Sequence, residues 1–253
     1  LHVRSRRQRQ MCIRDSSNSY TIIYASVMVV IVAFLLAFVS DVLKPTQDKN
    51  VELDKKKQIL AALNIRDVKD SEEVEAKYRE VIMADMVVKS DGSLVKEGKE
   101  KDQDGFKVEN KNITPDNLPV YLCKVDGQTK YVVPMSGRGL WGGLWGYMAV
   151  NDDLKTIYGA YFSHESETAG LGSPIAGQEF QDRFRDKQIF ADSVSDKVAL
   201  TVVKKGQVKN PQYEVDGLTG ATLTTKGAAA MINGGLSQYL GFFNAIKNNA
   251  GNK

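Results

Sequence analysis

No charged residue occurs from Thr21 to Ser40, and the apolar run continues through Val42-Leu43 around the single Asp41. As a helix this stretch reaches about 34 Å, enough to cross the hydrocarbon core of a bilayer. The pattern predicts a transmembrane anchor over 21–43. A cleavable signal peptide is the rival reading, but the run is too long for its apolar region and no small-x-small cleavage site clearly follows. Pro45 is expected to end the span. Beyond it, Leu53, Ile59, Leu60 and Leu63 recur at helical period within Val51 to Asn64, around Lys55 to Lys57, which predicts an amphipathic helix. A second helix is predicted from Asp70, with Glu73 completing a capping-box-like start, through Tyr78 and Ile82 toward Val87. Ser90 to Asn117 is charged, holds Asp91-Gly92, Asp104-Gly105 and Pro115, and reads as loop with room for one short strand. Residues 47–117 are thus expected to form a helical first part of the soluble region.

From Pro119 to Pro134 the period drops to two. Tyr121-Leu122-Cys123-Lys124-Val125, then Asp126-Gly127, then Tyr131-Val132-Val133 give a β-hairpin pattern. Leu154 to Ser163, around Gly159, is a further strand candidate, and Phe180 and Phe184 place a short helix within Ile175 to Arg185. Val194 to Lys204 reads as a strand, and another β-like run ends near Val215. A long Ala/Gly/Leu-rich segment, Lys226 to Ile246, reads as a helix. Short strands, two early helices and a terminal helix define an α+β fold of about 200 residues behind a single N-terminal transmembrane helix, large enough for a real core. No internal repeat is evident.

Composition changes this picture at one place. The run Arg6-Arg7-Gln8-Arg9-Gln10-Met11-Cys12-Ile13-Arg14-Asp15-Ser16 resembles the conceptual translation of a sequencing-library adapter, and residues 1–16 are expected to be absent from the native protein. A basic cytoplasmic tail is the alternative. Without these residues Lys+Arg falls from 34 to 29, Asp+Glu from 31 to 30, and the net charge from +3 to −1. A basic surface for nucleic acid is then unsupported. Cys12 goes with them, and a lone Cys123 cannot form an internal disulfide and is expected to pack as a small apolar residue.

The chemistry-bearing stretches are few. Asp102-x-Asp104-Gly105 lacks the remaining calcium ligands and the closing Glu, so it reads as solvated loop. Gly137, Gly139 and Gly142 form a G-x-G-x-x-G, but Trp141 and Trp145 interrupt the helix that should follow and no suitable acidic residue lies about 20 positions on. The two Trp side chains could simply fill the core. His164-Glu165 has Thr168 where a zinc protease needs its second His, and His2 aside His164 is the only histidine, so metal clusters and Ser-His-Asp triads are unsupported. Asp216-Gly217-Leu218-Thr219-Gly220-Ala221-Thr222-Leu223-Thr224-Thr225 stands apart. Its glycines permit a tight turn, and Thr222, Thr224 and Thr225 then fall at a helix start beside unpaired N–H groups, a place for a phosphate. An ordinary N-cap is the plainer reading of the same threonines.

That last stretch resembles the Asp-x-x-(Ser/Thr)-Gly-Ala-Thr flavinylation motif of FMN-binding domains, filled by Asp216, Thr219, Gly220, Ala221 and Thr222. The resemblance implies a phosphoester between FMN and Thr222, with Thr224 nearby, and an FMN-binding domain over 118–250. His164 to Gly172 is similar to that family's His-x-Glu-Thr-Pro-Gly-Leu-Gly loop, with one extra residue between His164 and Glu167, or with Glu165 in register with His, and with Ala169 in place of Pro. It implies that His164, Glu167, Thr168, Gly170, Leu171 and Gly172 approach the flavin, as do Leu140 and Trp141 through Gly139-Leu140-Trp141. With the single span and Lys55-Lys56-Lys57-Gln58-Ile59-Leu60, the chain resembles the C subunits of Na⁺-translocating NADH:quinone oxidoreductases. The resemblance implies an electron-relaying flavoprotein subunit with covalent FMN, no catalytic or metal site of its own, neighbouring membrane subunits and lipid as partners, and a flavin transferase for maturation. It also implies a single-pass protein of the cell inner membrane with its soluble domain periplasmic, although the lysines after the span argue weakly for the cytoplasm. The G subunit of Rnf-type ferredoxin:NAD⁺ oxidoreductases and a membrane-tethered, non-redox binding or assembly protein are the alternatives.

Overall fold

The computed structural model describes residues 18–68, 70–192 and 197–251; the adapter-like residues 1–16 lie outside them. The chain divides into two compact units, Leu1–Glu52 and Leu53–Lys253. Helix α1, Asn18–Ala62, begins in the first and ends in the second. It is long and apolar enough to cross a membrane, and its side chains from Ile22 to Leu43 are largely exposed. The expected break at Pro45 does not occur, since Pro45 lies inside the helix. A proline removes one bond of the ladder and strains one turn, while the residues on both sides stay helical through the cooperativity of the remaining bonds.

The second unit is built on a six-stranded antiparallel sheet with strand order β2-β1-β3-β4-β5-β6. The strands are β1, Ile82–Val88; β2, Leu94–Lys96; β3, Leu118–Val125; β4, Gln128–Arg138; β5, Gly143–Asn151; and β6, Ile157–His164. Helix α2 spans only Ser71–Val81, and its N-cap Asp70 makes no side-chain capping bond. The helix predicted as far as Val87 therefore ends early, and 82–88 is a strand. The β-branched Val81-Ile82 and Val87-Val88 suit a pleated surface, and β1 finds its partner in β3, from Ile82↔Cys123 to Val88↔Leu118. Residues 47–117 are accordingly not helical throughout, because two of their segments complete the sheet. The β3–β4 turn is the predicted Asp126-Gly127, with φ of 50° and 79°, the doubly positive pair that a two-residue hairpin needs. Strand β5 is not visible as a periodic pattern, its glycines and tryptophans masking an alternation that pairing with β4 and β6 supplies.

Alternation sends successive side chains to two cores. Val120, Val133, Met148 and Phe162 pack in one cluster, with Phe180 and Phe184 and with helices α4, Thr222–Gln238, and α5, Leu240–Gly251. Tyr121, Val132, Tyr147 and Ala149 pack in the other, with Ile59, Leu60 and Leu63 of α1 and Val74 and Tyr78 of α2. Tyr239 interrupts the predicted helix 226–246, splitting it into α4 and α5, and its hydroxyl donates to the carbonyls of Pro119 and Pro134 (both 3.2 Å). Cys123 is buried, as expected. Phe180 and Phe184 meet edge to face at 5.5 Å beside the short helix α3, Gln178–Asp182. The strand predicted at 194–204 is confined to β7, Thr201–Val203; 193–196 lie outside the described residues. The edge of β6 is covered: Asn64 Nδ2 donates to Tyr158 O (2.9 Å) and Arg66 Nη2 to Ala160 O (3.3 Å).

The C-terminal part of α1 is fixed by charge as well as by packing. Lys56, almost fully buried, donates to Glu75 Oε1 (2.8 Å) and lies 3.0 Å from Asp102 Oδ2. Lys55 Nζ donates to the carbonyls of Phe106 and Val108. Burial pulls the Lys55 ammonium down from 10.5 to about 8, against the opposing pull of Glu109 and Asp85. Between those two values the unfolded chain binds the extra proton, so this residue's contribution makes stability rise with pH across that window. We predict that Lys55→Met removes that rise, as read from urea unfolding of the detergent-solubilised chain at pH 8 and pH 10; an unchanged slope refutes the assignment.

Candidate functional site

The motif turn is delivered by a small parallel pair, β7 with β8, Glu214–Asp216. Its backbone is held at several points. The Gly217 N–H donates to Val203 O (2.8 Å), Asp216 Oδ1 accepts from the Gly206 N–H (2.8 Å), and the Leu218 N–H donates to Thr225 Oγ1 (3.2 Å). A Cβ on Gly217 would overlap Thr225 and come within 2.7 Å of Val203 O, which explains the glycine. Gly220, at φ 75°, then turns the chain into α4, whose first residue is Thr222.

The threonines divide sharply. Thr224 is 1% exposed and donates from Oγ1 to Glu167 Oε2 at 2.5 Å; Thr225 is buried and accepts from Leu218. Thr219 and Thr222 are exposed, and of these Thr222 alone sits at the helix start. The cap residue is Ala221, which offers no side-chain hydrogen bond, so the alternative reading of the threonines as an ordinary N-cap is not met. The first N–H groups of α4 and the positive end of its dipole are left for an outside acceptor.

Glu167 joins this helix to the glycine-rich loop. Besides the bond from Thr224, its Oε1 accepts from the Trp141 backbone N–H (3.0 Å), and the Leu140 N–H also bonds to the carboxylate. Its own N–H donates to His164 Nδ1 (3.2 Å), which fixes His164 as a brace of the loop. Burial raises the carboxyl's pKa, but the bonds from Thr224, Trp141 and Leu140 outweigh burial and hold it below the usual carboxylate range. The Thr168 carbonyl accepts from Leu171, Gly172 and Ser173 (3.1 Å each), closing the next turn, and Gly170 takes φ 74° within it. A Cβ on Gly172 would overlap Glu167 Oε2 and stand 2.7 Å from Thr224 Oγ1, so only glycine lets the loop reach this bond.

Around the helix start the surface is apolar. Leu140, Trp141, Leu171 and Leu223 are 46%, 66%, 47% and 55% exposed, although they lie on three separate segments. Trp141 does not fill the core. Trp145 is half-buried and donates from Nε1 to Gln58 Oε1 (3.2 Å), tying β5 to α1. The fold thus brings Leu140, Trp141, Glu167 and Thr224 into one bonded set and places Leu171 against Gly220, 3.1 Å from where its Cβ would lie. Asp216 stands farther back, its carboxylate committed to Gly206. Arg183, which no sequence pattern marks, reaches the same turn from the end of α3.

Exposed apolar side chains stand beside an uncapped helix start with glycines lining the approach, and over this region, residues 139–237, the chain matches a model of the FMN-binding domain. The chain is 34% identical to the C subunit of the Na⁺-translocating NADH-quinone reductase of Haemophilus ducreyi over 227 residues, covering 83% of this chain and 86% of that protein. It is 29% identical to the corresponding protein of Pseudomonas aeruginosa, covering 87% and 91%. A crystal structure of the C subunit from Parabacteroides distasonis superposes with a TM-score of 0.72 at 40% identity, covering 79% of this chain and 96% of that one. NqrC of Shewanella oneidensis shares the fold, with a TM-score of 0.66 at 23% identity over 79% of this chain and 99% of that one. The chain belongs to the family of C subunits of Na⁺-translocating NADH-quinone reductases.

Because the folded pKa of Glu167 is lowered, its stabilisation is complete above the unfolded value and is lost as pH falls through the folded one. Glu167→Gln should cost roughly 1–3 kcal/mol at neutral pH, the worth of charged hydrogen bonds, and should remove this share of the acid destabilisation. Urea midpoints measured from pH 7 down to pH 3 decide it; parallel curves for the two proteins contradict the clamp.

Proposed function

We propose that the chain is a membrane-anchored flavoprotein subunit that carries FMN in phosphoester linkage to Thr222 and relays electrons between redox centres of a Na⁺-translocating NADH-quinone reductase. The observation that carries this reading is the division of the threonines, which leaves Thr222 as the exposed hydroxyl at an uncapped helix start. The residues present fit the group. The first N–H groups of α4 suit its phosphate, and Leu140, Trp141, Leu171 and Leu223 suit an apolar ring system. FMN would supply the electron chemistry when bound. The protein's part is to orient and shield: Glu167 ties the Leu140–Trp141 loop to α4, and Gly170, Gly172 and Gly220 keep the approach open.

Attachment makes one bond and breaks one. Thr222 Oγ1 displaces a leaving group from the flavin's phosphorus, and its proton passes to a base. A flavin dinucleotide supplies a suitable leaving group, a nucleoside monophosphate, whereas joining free FMN to a hydroxyl would have to expel water. A Thr hydroxyl is a weak nucleophile without a base beside it. That need supports a separate flavin transferase that reads Asp216 and the Gly217–Ala221 turn. The other partners in this reading are the membrane subunits of the complex and lipid around 21–43, with 118–250 as the flavin-binding part. The location is the cell inner membrane, with the soluble unit periplasmic.

Thr222→Ala, co-expressed with such a transferase, is expected to lack the mass of covalent FMN while unfolding as the wild type does. Mass gain on the variant would overturn the site, and Thr224 would be tested next. A reporter active only in the cytoplasm, fused after Lys253, should stay silent; strong activity would reverse the orientation.

A further inference from the structure

Arg183 follows α3 directly and lies 33 residues from Asp216 in sequence, yet its guanidinium ends on the motif's backbone. Nη1 donates to Asp216 O (3.1 Å) and to Gly217 O (3.4 Å), and Nη2 donates to Glu179 Oε1 (2.7 Å). Its planar head also lies over Phe180, 5.7 Å from the ring centre, and Phe180 is itself locked against Phe162 and Phe184 in the core. The guanidinium therefore has little freedom. It is anchored through Phe180 to the sheet, through Glu179 to α3, and it projects onto the two carbonyls that open the Asp216–Thr222 turn.

Those carbonyls matter because of what the rest of the turn lacks. Val203, Gly206 and Thr225 hold Gly217 N–H, the Asp216 carboxylate and Leu218 N–H respectively. These contacts fix the donors and the side chain of the turn's first residues, while Arg183 fixes the acceptors. Downstream, Thr219 and Gly220 are exposed, and Gly220 sits at positive φ. The position of Thr222 is therefore set from the Asp216–Gly217 end and by the buried Thr224 and Thr225.

We propose that Arg183 is a positioning residue for flavin attachment, holding the Asp216–Gly217 carbonyls so that the turn presents Thr222 in one conformation to the transferase. The proposal rests on the reading of Thr222 as the attachment point. Without the fork the turn samples several conformations, and only the fraction in the competent one binds the transferase, so the loss falls on apparent affinity and spares the chemical step. The rigid planar head lets Nη2 hold Glu179 while Nη1 bonds both carbonyls and the plane rests on Phe180, a combination that a flexible ammonium reproduces only in part.

The test uses the full chain in detergent with purified transferase and flavin dinucleotide, the flavinylation rate being followed by intact mass at varied protein concentration. Arg183→Met should raise KM about ten-fold or more, the scale for a lost charge-assisted hydrogen bond, with kcat and Tm near wild type. Arg183→Lys should recover part of the affinity. An unchanged KM for Arg183→Met overturns the proposal, and so does a fall in kcat together with a lowered Tm, which would make Arg183 merely structural. Thr222→Ala is run alongside. Labelling of that variant sinks the attachment site itself, whereas its silence with normal labelling of Arg183→Met sinks only the role of Arg183.

Discussion

The bond from Thr224 to Glu167 is the constraint on which the site depends. A buried carboxylate is costly unless several donors face it, and here a hydroxyl from α4 and two backbone N–H groups from the 139–142 loop satisfy it together. Satisfying one charge thereby locks three segments into register. It also decides which threonine stays free. With Thr224 bound to Glu167 and Thr225 to Leu218, the exposed hydroxyl at the head of α4 belongs to Thr222.

That register is possible because the sheet beneath it is covered on both faces. Helices α4 and α5 pack on one side, and the end of α1 with α2 on the other. Two cores built from alternating residues of the same strands leave little room for slippage, since a one-residue shift would exchange them. The loops that leave β4 and β6 at the same end of the sheet therefore start from fixed positions, and the Leu140–Trp141 and Glu167–Gly172 segments meet there. Apolar side chains left exposed on rigid segments are the usual signature of a surface kept for a ligand or partner.

Lys55 and Lys56 show a different use of charge. Both lie on the amphipathic turn after the apolar stretch, where periodicity suggests a solvated face. Lys56 is instead buried against Glu75 and Asp102, and Lys55 bonds the carbonyls of the 106–108 segment. Charged residues at these positions fix the end of α1 by hydrogen-bond geometry as well as by apolar area, which gives direction that apolar contact alone lacks.

Local chemistry was sufficient for several features. The uncharged run from Thr21 to Ser40 specifies a long apolar helix, Asp126-Gly127 specifies a tight hairpin turn, and Gly220-Ala221-Thr222 specifies a turn into a helix, because each depends on neighbours a few positions away. The tertiary structure decided the rest. Ile82 to Val88 became a strand because β3 offered a ladder, Trp141 faced outward, and the threonines of α4 were sorted by partners as distant as Glu167. No local pattern records those choices, since the free energy that makes them comes from groups far apart in sequence that meet only after the sheet has formed.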